Sequence, residues 1–339
     1  MKERGSVLVF SVWAIAFLAV FTVVVGRLAA SELAYGSWVK NRILLHGLAK
    51  AGIERARLEI ETDKFIAFDA MNETWASNEK SLGNQPLGAG RFSVECWEGA
   101  GGKNSPLYGA CDESARLNLN KATEDQLKNL LGAVDEKMDD LKRTEIAESV
   151  VDWRDKDDAA MTHGAEATYY KSQTDPYEPR NNDFVAVDEL MMVRGMTREI
   201  FDKIKASLTV YSEGPVNFNT AGPVAMQALG LSRELAIRVV EFRKGPDGRE
   251  GTEDDLFFQD PGGITPALSA AGSFSSEQFA QISNAVSLGA ISVKSGAFRI
   301  HSIGRLIKDG KTKESGVTEE SVTCVITRKG QILFWQEGE

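Results

Sequence analysis

Two acidic stretches hold the densest chemistry in this chain. The first is Asp152-Trp-Arg-Asp155-Lys-Asp157-Asp158, with Glu166 eight residues on. The second reads GPDGREGTEDD and brings Asp247, Glu250, Glu253, Asp254 and Asp255, with Asp260 beyond. Carboxylates interleaved with glycines suit Ca²⁺, a hard cation that takes roughly six to eight oxygen ligands. Glycine permits the tight turn that lets those oxygens converge. Neither stretch has EF-hand spacing, and each reads equally as a solvated acidic loop. A calcium ion here would be structural, holding loops with little apolar content.

Catalytic chemistry finds less support. Asp254 and Asp255 are an acid pair of the kind used in proton transfer, but nothing in the sequence places them in a cleft. There is no G-x-S-x-G and no H-E-x-x-H, and His46, His163 and His301 are far apart. The stretch from Gly304 to Thr312 has five residues between its glycines where a phosphate loop needs four, and it reads as a hairpin turn. The expectation is a protein that is not an enzyme. Cys96 and Cys111 bracket a Gly-rich stretch; they are either a disulfide closing a hairpin in an oxidising compartment or two unrelated thiols. Cys324, in VTCVI, reads as a buried small hydrophobe.

The elements that must position these groups follow from pattern. The fold class expected is α+β. GRFSVECWE, AFRIHSIGRLI, ESVTCVIT and QILFWQE alternate apolar and polar residues and predict one antiparallel sheet, with turns at Asp309-Gly310 and Lys329-Gly330. Between the first and second of these strands lies a long helical stretch, which predicts an insert. That stretch contains a duplication. Asn118-Leu119-Asn120-Lys121-Ala122 corresponds to Asn217-Phe218-Asn219-Thr220-Ala221. Each copy is followed by a short helix, a glycine turn (Gly132; Gly230) and another helix, as in helix-hairpin-helix units. Such units often grip DNA backbone, but here the first turn is acidic.

Charge agrees with that. The chain has 339 residues and a net charge of −10, of which residues 1–60 carry +4 and the remainder −14. An acidic body argues against nucleic-acid binding, which needs a basic footprint. Apolar content of 42% is enough for ordinary cores.

The N-terminus is different in kind. Lys2-Glu3-Arg4-Gly5 abuts an uncharged run from Ser6 to Gly26. As a helix that run is roughly 32 Å long, enough to cross a bilayer core. The helical pattern continues to about residue 60, with Leu33, Leu44, Leu48, Ala51 and Leu58 as its expected apolar face. A signal peptide is cut after its apolar run, whereas a prepilin-type leader is cut before it and leaves the helix as an assembly stem. Lys2 and Arg4 predict a cytoplasmic N-terminus and a body across the membrane.

Taken together, the leader, AGIERA in the stem, DESARLNLNKAT, VVDWRDKDD…GAEATYY, DPYEPRNNDFVAVDELMMVRGM, VNFNTA and the C-terminal FRIHSIGR…VTCVITRKGQILFWQE resemble the minor pseudopilin K family of the bacterial type II secretion system. The resemblance implies cleavage after Gly5 by a prepilin peptidase and N-methylation of Ser6. It implies a pilin-like sheet with a large α-helical insert that holds calcium. The division expected is a leader (1–5), a transmembrane stem (6–60), a pilin-like domain (61–117 with 290–339) and the insert (118–289). It further implies an inner-membrane, periplasm-facing subunit that joins minor pseudopilins I and J and the major pseudopilin. Its role would be to initiate or cap the pseudopilus tip in protein export. Most pilins have Glu at the fifth residue after the cut; here that residue is Phe10, and the K family commonly lacks the acid. A buried carboxylate in an apolar stem is costly unless paired, so a subunit with none above it can omit it. The Gly251-Thr-Glu-Asp-Asp255 loop also resembles a calcium loop of the major pseudopilin. The competing expectation is a membrane-anchored helix-hairpin-helix DNA receptor of a competence-type uptake system.

Overall fold

A computed structural model describes residues 4–63, 67–97, 106–272, 274–307 and 319–338. One helix, Arg4–Glu61, dominates the N-terminal part. Its 58 residues correspond to a rod of roughly 87 Å at 1.5 Å per residue. It is the one helix among the described residues long and apolar enough to cross a membrane, and its most apolar window, of mean hydropathy 2.7, is wholly unburied. Phe10 lies on this exposed part. Residues 1–3 and the side chains of Arg4 and Ser6 fall outside the described residues, so the expected cut after Gly5 is not described.

The second half of the helix lies on a sheet. Its buried stripe is Leu45, Leu48, Ala49, Ile53, Ala56 and Ile60. That stripe corrects the face expected from sequence. Leu33, Leu44 and Leu58 are exposed, by 77%, 39% and 46%. The first half is apolar nearly all round, so a stripe begun at Leu33 has no fixed face, whereas in the second half the buried residues recur at spacings of three and four between Lys50, Glu54 and Arg57. Contact is close because both partners are small at the crossing. A Cβ on Gly304 would stand 2.3 Å from the Leu45 carbonyl oxygen, which is backbone and cannot yield cheaply.

The sheet is antiparallel and runs, in spatial order, 85–87, 90–94, 297–306, 319–327 and 332–337, with Cys111–Asp112 also pairing to 297–306. The four strands expected from alternation are all present. Strand Ala297–Leu306 shows why: Phe298, Ile300 and Ser302 point inward while Arg299, His301 and Ile303 are half-exposed. The turn at Lys329-Gly330 has Gly330 at φ 77°. The Asp309-Gly310 turn and Lys308–Thr312 of the near-phosphate-loop motif lie outside the described residues.

Between strands 90–94 and 297–306 the chain makes a separate helical lobe. Its core runs from Leu117 to Val293, whereas the sheet and stem share another core, from Ala49 to Ile326. The lobe is a structural duplicate, held by matching asparagine clamps. Asn118 accepts from the Asn120 backbone N–H (2.7 Å), as Asn217 does from that of Asn219 (3.0 Å). Asn120 exchanges two hydrogen bonds with the Phe184 backbone (3.0 and 2.7 Å). Asn219 does the same with Phe258 (2.9 and 2.8 Å). Each unit also places a short parallel strand pair, Leu117–Asn118 with Leu208–Thr209 and Val216–Asn217 with Ile291–Ser292.

One detail of the repeat differs from expectation. Gly230, at φ 91°, does make a turn. Gly132 does not: it sits inside helix Glu124–Val134. There a Cβ would lie 3.1 Å from the Arg143 guanidinium, so the glycine makes room for a side chain and not for a turn.

Candidate metal centre

Helix Asp140–Arg154 ends at Asp152, Trp153 and Arg154, and its last turn carries the first acidic stretch. Asp152 is fully buried. Asp152, Asp155 and Glu166 offer carboxylate oxygens that all lie within 4.8 Å of one another. Asp157 and Asp158, exposed and further along the turn, are not in that group. The loop returns to the helix through the Met161 backbone N–H, which donates to both Asp152 oxygens at 3.3 and 3.1 Å. Gly164 is needed for this approach, since a Cβ there would stand 1.9 Å from Asp152 Oδ2.

The cluster is short of positive charge and of donors. Both Glu166 oxygens are buried without a hydrogen-bond partner, and so is Asp155 Oδ1. Arg154 pairs with none of them; its guanidinium donates to the carbonyls of Leu119 and Ala122, and its charge offsets Asp155 alone of the three. Burial pushes Glu166 up to about 7, with the Asp152 and Asp155 charges adding to it. Burial likewise pushes Asp152 up to about 6. Oxygen atoms that lack donors and are held together against repulsion fit a hard divalent cation. Aromatic packing fixes the frame around them: Trp153 meets Tyr170 edge-on at 5.1 Å and stacks on Phe184 at 6.4 Å.

The second stretch solves the same problem internally. It follows Arg243, the counterpart of Arg154, at the end of helix Arg233–Arg243. Arg243 donates to the Phe218 carbonyl (2.7 Å) and pairs with buried Glu250 at 3.1 Å. Gly251 N–H donates to Asp255 Oδ2 at 2.7 Å, Thr252 Oγ1 to Asp254 Oδ1 at 2.8 Å, and Asp247 N–H to Asp254 Oδ2 at 3.0 Å. Glu253 is exposed. Burial still pushes Asp255 up to about 6. These carboxylates serve their own loop, and they do not form a convergent group among the described residues.

Two further features concern placement. Cys96 and Cys111 are joined by a disulfide, and Cys324 is a buried free thiol. Directly after Cys111, Asp112 accepts from Asn217, Thr220 and Ser295 side chains at 3.0, 2.6 and 2.6 Å. Glu113 accepts from Arg299 at 2.6 Å and from Thr209. These two buried acids tie both repeats of the lobe to the sheet. Sequence reasoning missed them because ESA reads as neutral ground between a cysteine and LNLN. A second convergent acidic group, Asp63, Asp69 and Glu73, sits at the stem's end, where Arg328 already pairs with Asp63 and Asp69.

Long N-terminal helix, antiparallel sheet and inserted helical lobe together define a pilin-like protein with an enlarged head. Residues 110–213, which contain the first acidic cluster, match the family model described as type II secretion system (T2SS), protein K. That match covers less than a third of the chain. It is 29% identical over 133 residues to a protein of Escherichia coli (strain K12) named as a candidate type II secretion system protein K, covering 37% of this chain and 41% of that one. It is 30% identical over 89 residues to the type II secretion system protein K of Aeromonas hydrophila, covering 25% and 27%. The chain thus aligns with less than half the length of these relatives. Its fold is similar to a chain in the crystal structure of the GspK-GspI-GspJ complex from the enterotoxigenic Escherichia coli type 2 secretion system. That match has a TM-score of 0.61 at 18% identity and covers 92% of this chain and 99% of the other.

Proposed function

We propose that this chain is a minor pseudopilin at the tip of a type II secretion pseudopilus, where it initiates or caps assembly in protein export. The observation that carries the reading is the split stem. Its second half is consumed by the sheet, while its first half presents Val7 to Leu44 with almost no intramolecular cover. Exposed apolar surface of that extent needs lipid or other helices around it. Phe10, among the exposed residues, removes the need for a charge partner above the subunit. The solved neighbour lies in a complex with GspI and GspJ, and subunits of those two kinds are the partners proposed here. The major pseudopilin would follow below. The head would face the periplasm, the stem would sit in the inner membrane, and the role would be structural, not catalytic.

Processing belongs to the same proposal: a prepilin peptidase cuts after Gly5 and Ser6 is N-methylated. Mass spectrometry of membrane-extracted protein should find methylated Ser6 at the mature terminus; an intact Met1 would refute it. Co-expression with the I and J subunits should recover a ternary complex, and failure to associate would refute the tip assignment. The DNA-receptor reading predicts a salt-sensitive gel shift; the acidic head predicts none.

We further propose a structural Ca²⁺ at Asp152, Asp155 and Glu166. When bound, the ion would supply the positive charge that Arg154 does not. The loop from Asp247 to Asp255 is a second proposed site, tested by Asp254→Asn and Asp255→Asn in calorimetry. Chelation should lower the melting temperature, and an unchanged melt in EDTA would refute both sites.

A further inference from the structure

Three acids converge where stem, sheet and lobe meet, outside both acidic stretches. Asp63 lies just past the end of helix Arg4–Glu61, and Asp69 and Glu73 lie on the segment that follows. Each offers a carboxylate oxygen, and these oxygens all lie within 4.8 Å of one another. Two oxygens on one Ca²⁺, each at about 2.3–2.6 Å, stand at most about 5 Å apart, so the spacing fits a shared ion. Glu73 gives a second and independent sign of a ligand. It is 7% exposed, and its Oε1 is buried with no hydrogen-bond partner. Its Oε2 accepts from the Ala70 N–H and the Trp75 indole N–H, both at 2.9 Å. Those two donors fix the carboxyl and leave Oε1 over. A buried carboxylate oxygen without a donor is costly. Arg328 does not relieve it: the guanidinium pairs with Asp63 at 2.9 Å and with Asp69, and among the described residues no cation pairs with Glu73.

We infer that Asp63, Asp69 and Glu73 bind one Ca²⁺ at the junction of stem and head. This does not rest on the calcium reading of the lobe stretches. The ion gives Glu73 the positive partner that Arg328 gives the other two acids. Asp69 and Arg328 also line a cleft between lobe and sheet, with Glu213, Lys294 and Gln331, which supplies a path of entry. The consequence is mechanical. Asp63 belongs to the end of the stem. Asp69 reaches the lobe, since its N–H donates to the Val293 carbonyl at 2.8 Å and its own carbonyl accepts from the Asn217 side chain at 3.1 Å. Its Oδ2 accepts from the Ser295 N–H at 2.7 Å, just before strand Ala297–Leu306. Arg328 follows directly on strand Glu319–Thr327. One ion therefore fastens the end of the stem to the point where the lobe returns to the sheet.

The test uses the full chain in detergent, with CaCl₂ as probe, calorimetry for affinity and melting at pH 8 in CaCl₂ or EDTA. Glu73→Gln should weaken one calcium component about tenfold or more, since even the loss of a supporting group costs that much. Asp63→Asn should weaken the same component. A chain carrying Glu166→Gln and Asp255→Asn should keep it, which separates this site from those of the lobe. In EDTA no ion is present, and Glu73→Gln, relieved of a buried charge without a partner, should melt at or above the wild type. In CaCl₂ the wild type should gain more than the variant. The lost response then reflects a lost ligand and not a damaged fold. Equal calcium binding and equal calcium-induced rise in the wild type and Glu73→Gln would overturn the proposal. So would calcium components that fall with the lobe variants alone, or no calcium binding by the wild type.

Discussion

Glu73 stores a pH dependence that can be worked out in advance. Its Oε2 accepts the Trp75 indole N–H and the Ala70 N–H, both at 2.9 Å, while Oε1 is buried without a partner. Asp63 and Asp69 face it, and Arg328 is paired with those two. Burial raises the Glu73 carboxyl from 4.5 to about 7, opposed by its two donors and reinforced by the Asp63 charge. The folded state therefore holds a proton that the unfolded chain releases. Below 4.5 there is no penalty; between 4.5 and about 7 stability falls as pH rises; above that the loss is complete. The full shift corresponds to a ceiling of about 3 kcal/mol. Partial solvent access screens this to about 1–2 kcal/mol. Glu73→Gln removes the charge, keeps an acceptor for Trp75 and Ala70, and offers an N–H₂ toward the neighbouring carboxylates. It should raise the melting temperature at pH 8 by roughly 2–6 °C and change it little at pH 4.5. Scanning fluorimetry of wild type and variant across this range reads the difference directly. A difference independent of pH, or a variant less stable at pH 8, would refute the reasoning.

Three other predictions concern the scaffold. Gly304→Ala forces a Cβ against the Leu45 carbonyl and should cost about 1–3 kcal/mol or more, seen as a lowered melt and as protease cleavage between stem and sheet. Reducing the Cys96–Cys111 bridge, which spans a separation of 15 residues, should destabilise the chain by about 3 kcal/mol, measured by melting with and without reductant. The two asparagine clamps should differ: Asn219 is 2% exposed and Asn120 only partly buried, so Asn219→Ala should lower the melting temperature more than Asn120→Ala.

Much of the architecture is written in local patterns. The strand 297–306 alternates cleanly, Thr123 and Gln126 form the capping box that opens helix Glu124–Val134, and the doubled Asn-x-Asn reports a doubled clamp. Other features are illegible for physical reasons. The first half of the stem is apolar nearly all round and encodes no single face, so a stripe extended from Leu33 leads off the face that the sheet buries.

The acidic stretches show the deeper limit. The glycine-rich second loop has the stronger calcium-like pattern, yet the first is where oxygens converge without donors. The difference lies in what surrounds each carboxylate. A loop rich in glycine has free backbone N–H groups, and Gly251 and Asp247 spend theirs on Asp255 and Asp254. Arg243 takes Glu250. Asp152 instead sits in a helix, where the nearby N–H groups are already bonded to carbonyls four residues back. The returning loop reaches it through the Met161 N–H, with the Ala165 N–H also favouring its charged form. Arg154 is turned toward the carbonyls of Leu119 and Ala122, so Glu166 finds no counter-charge among the described residues. Acidic residues displayed on regular structure exhaust their local donors sooner than the same residues on a loop. The cation proposed above is therefore placed where the sequence pattern looks less like a calcium loop.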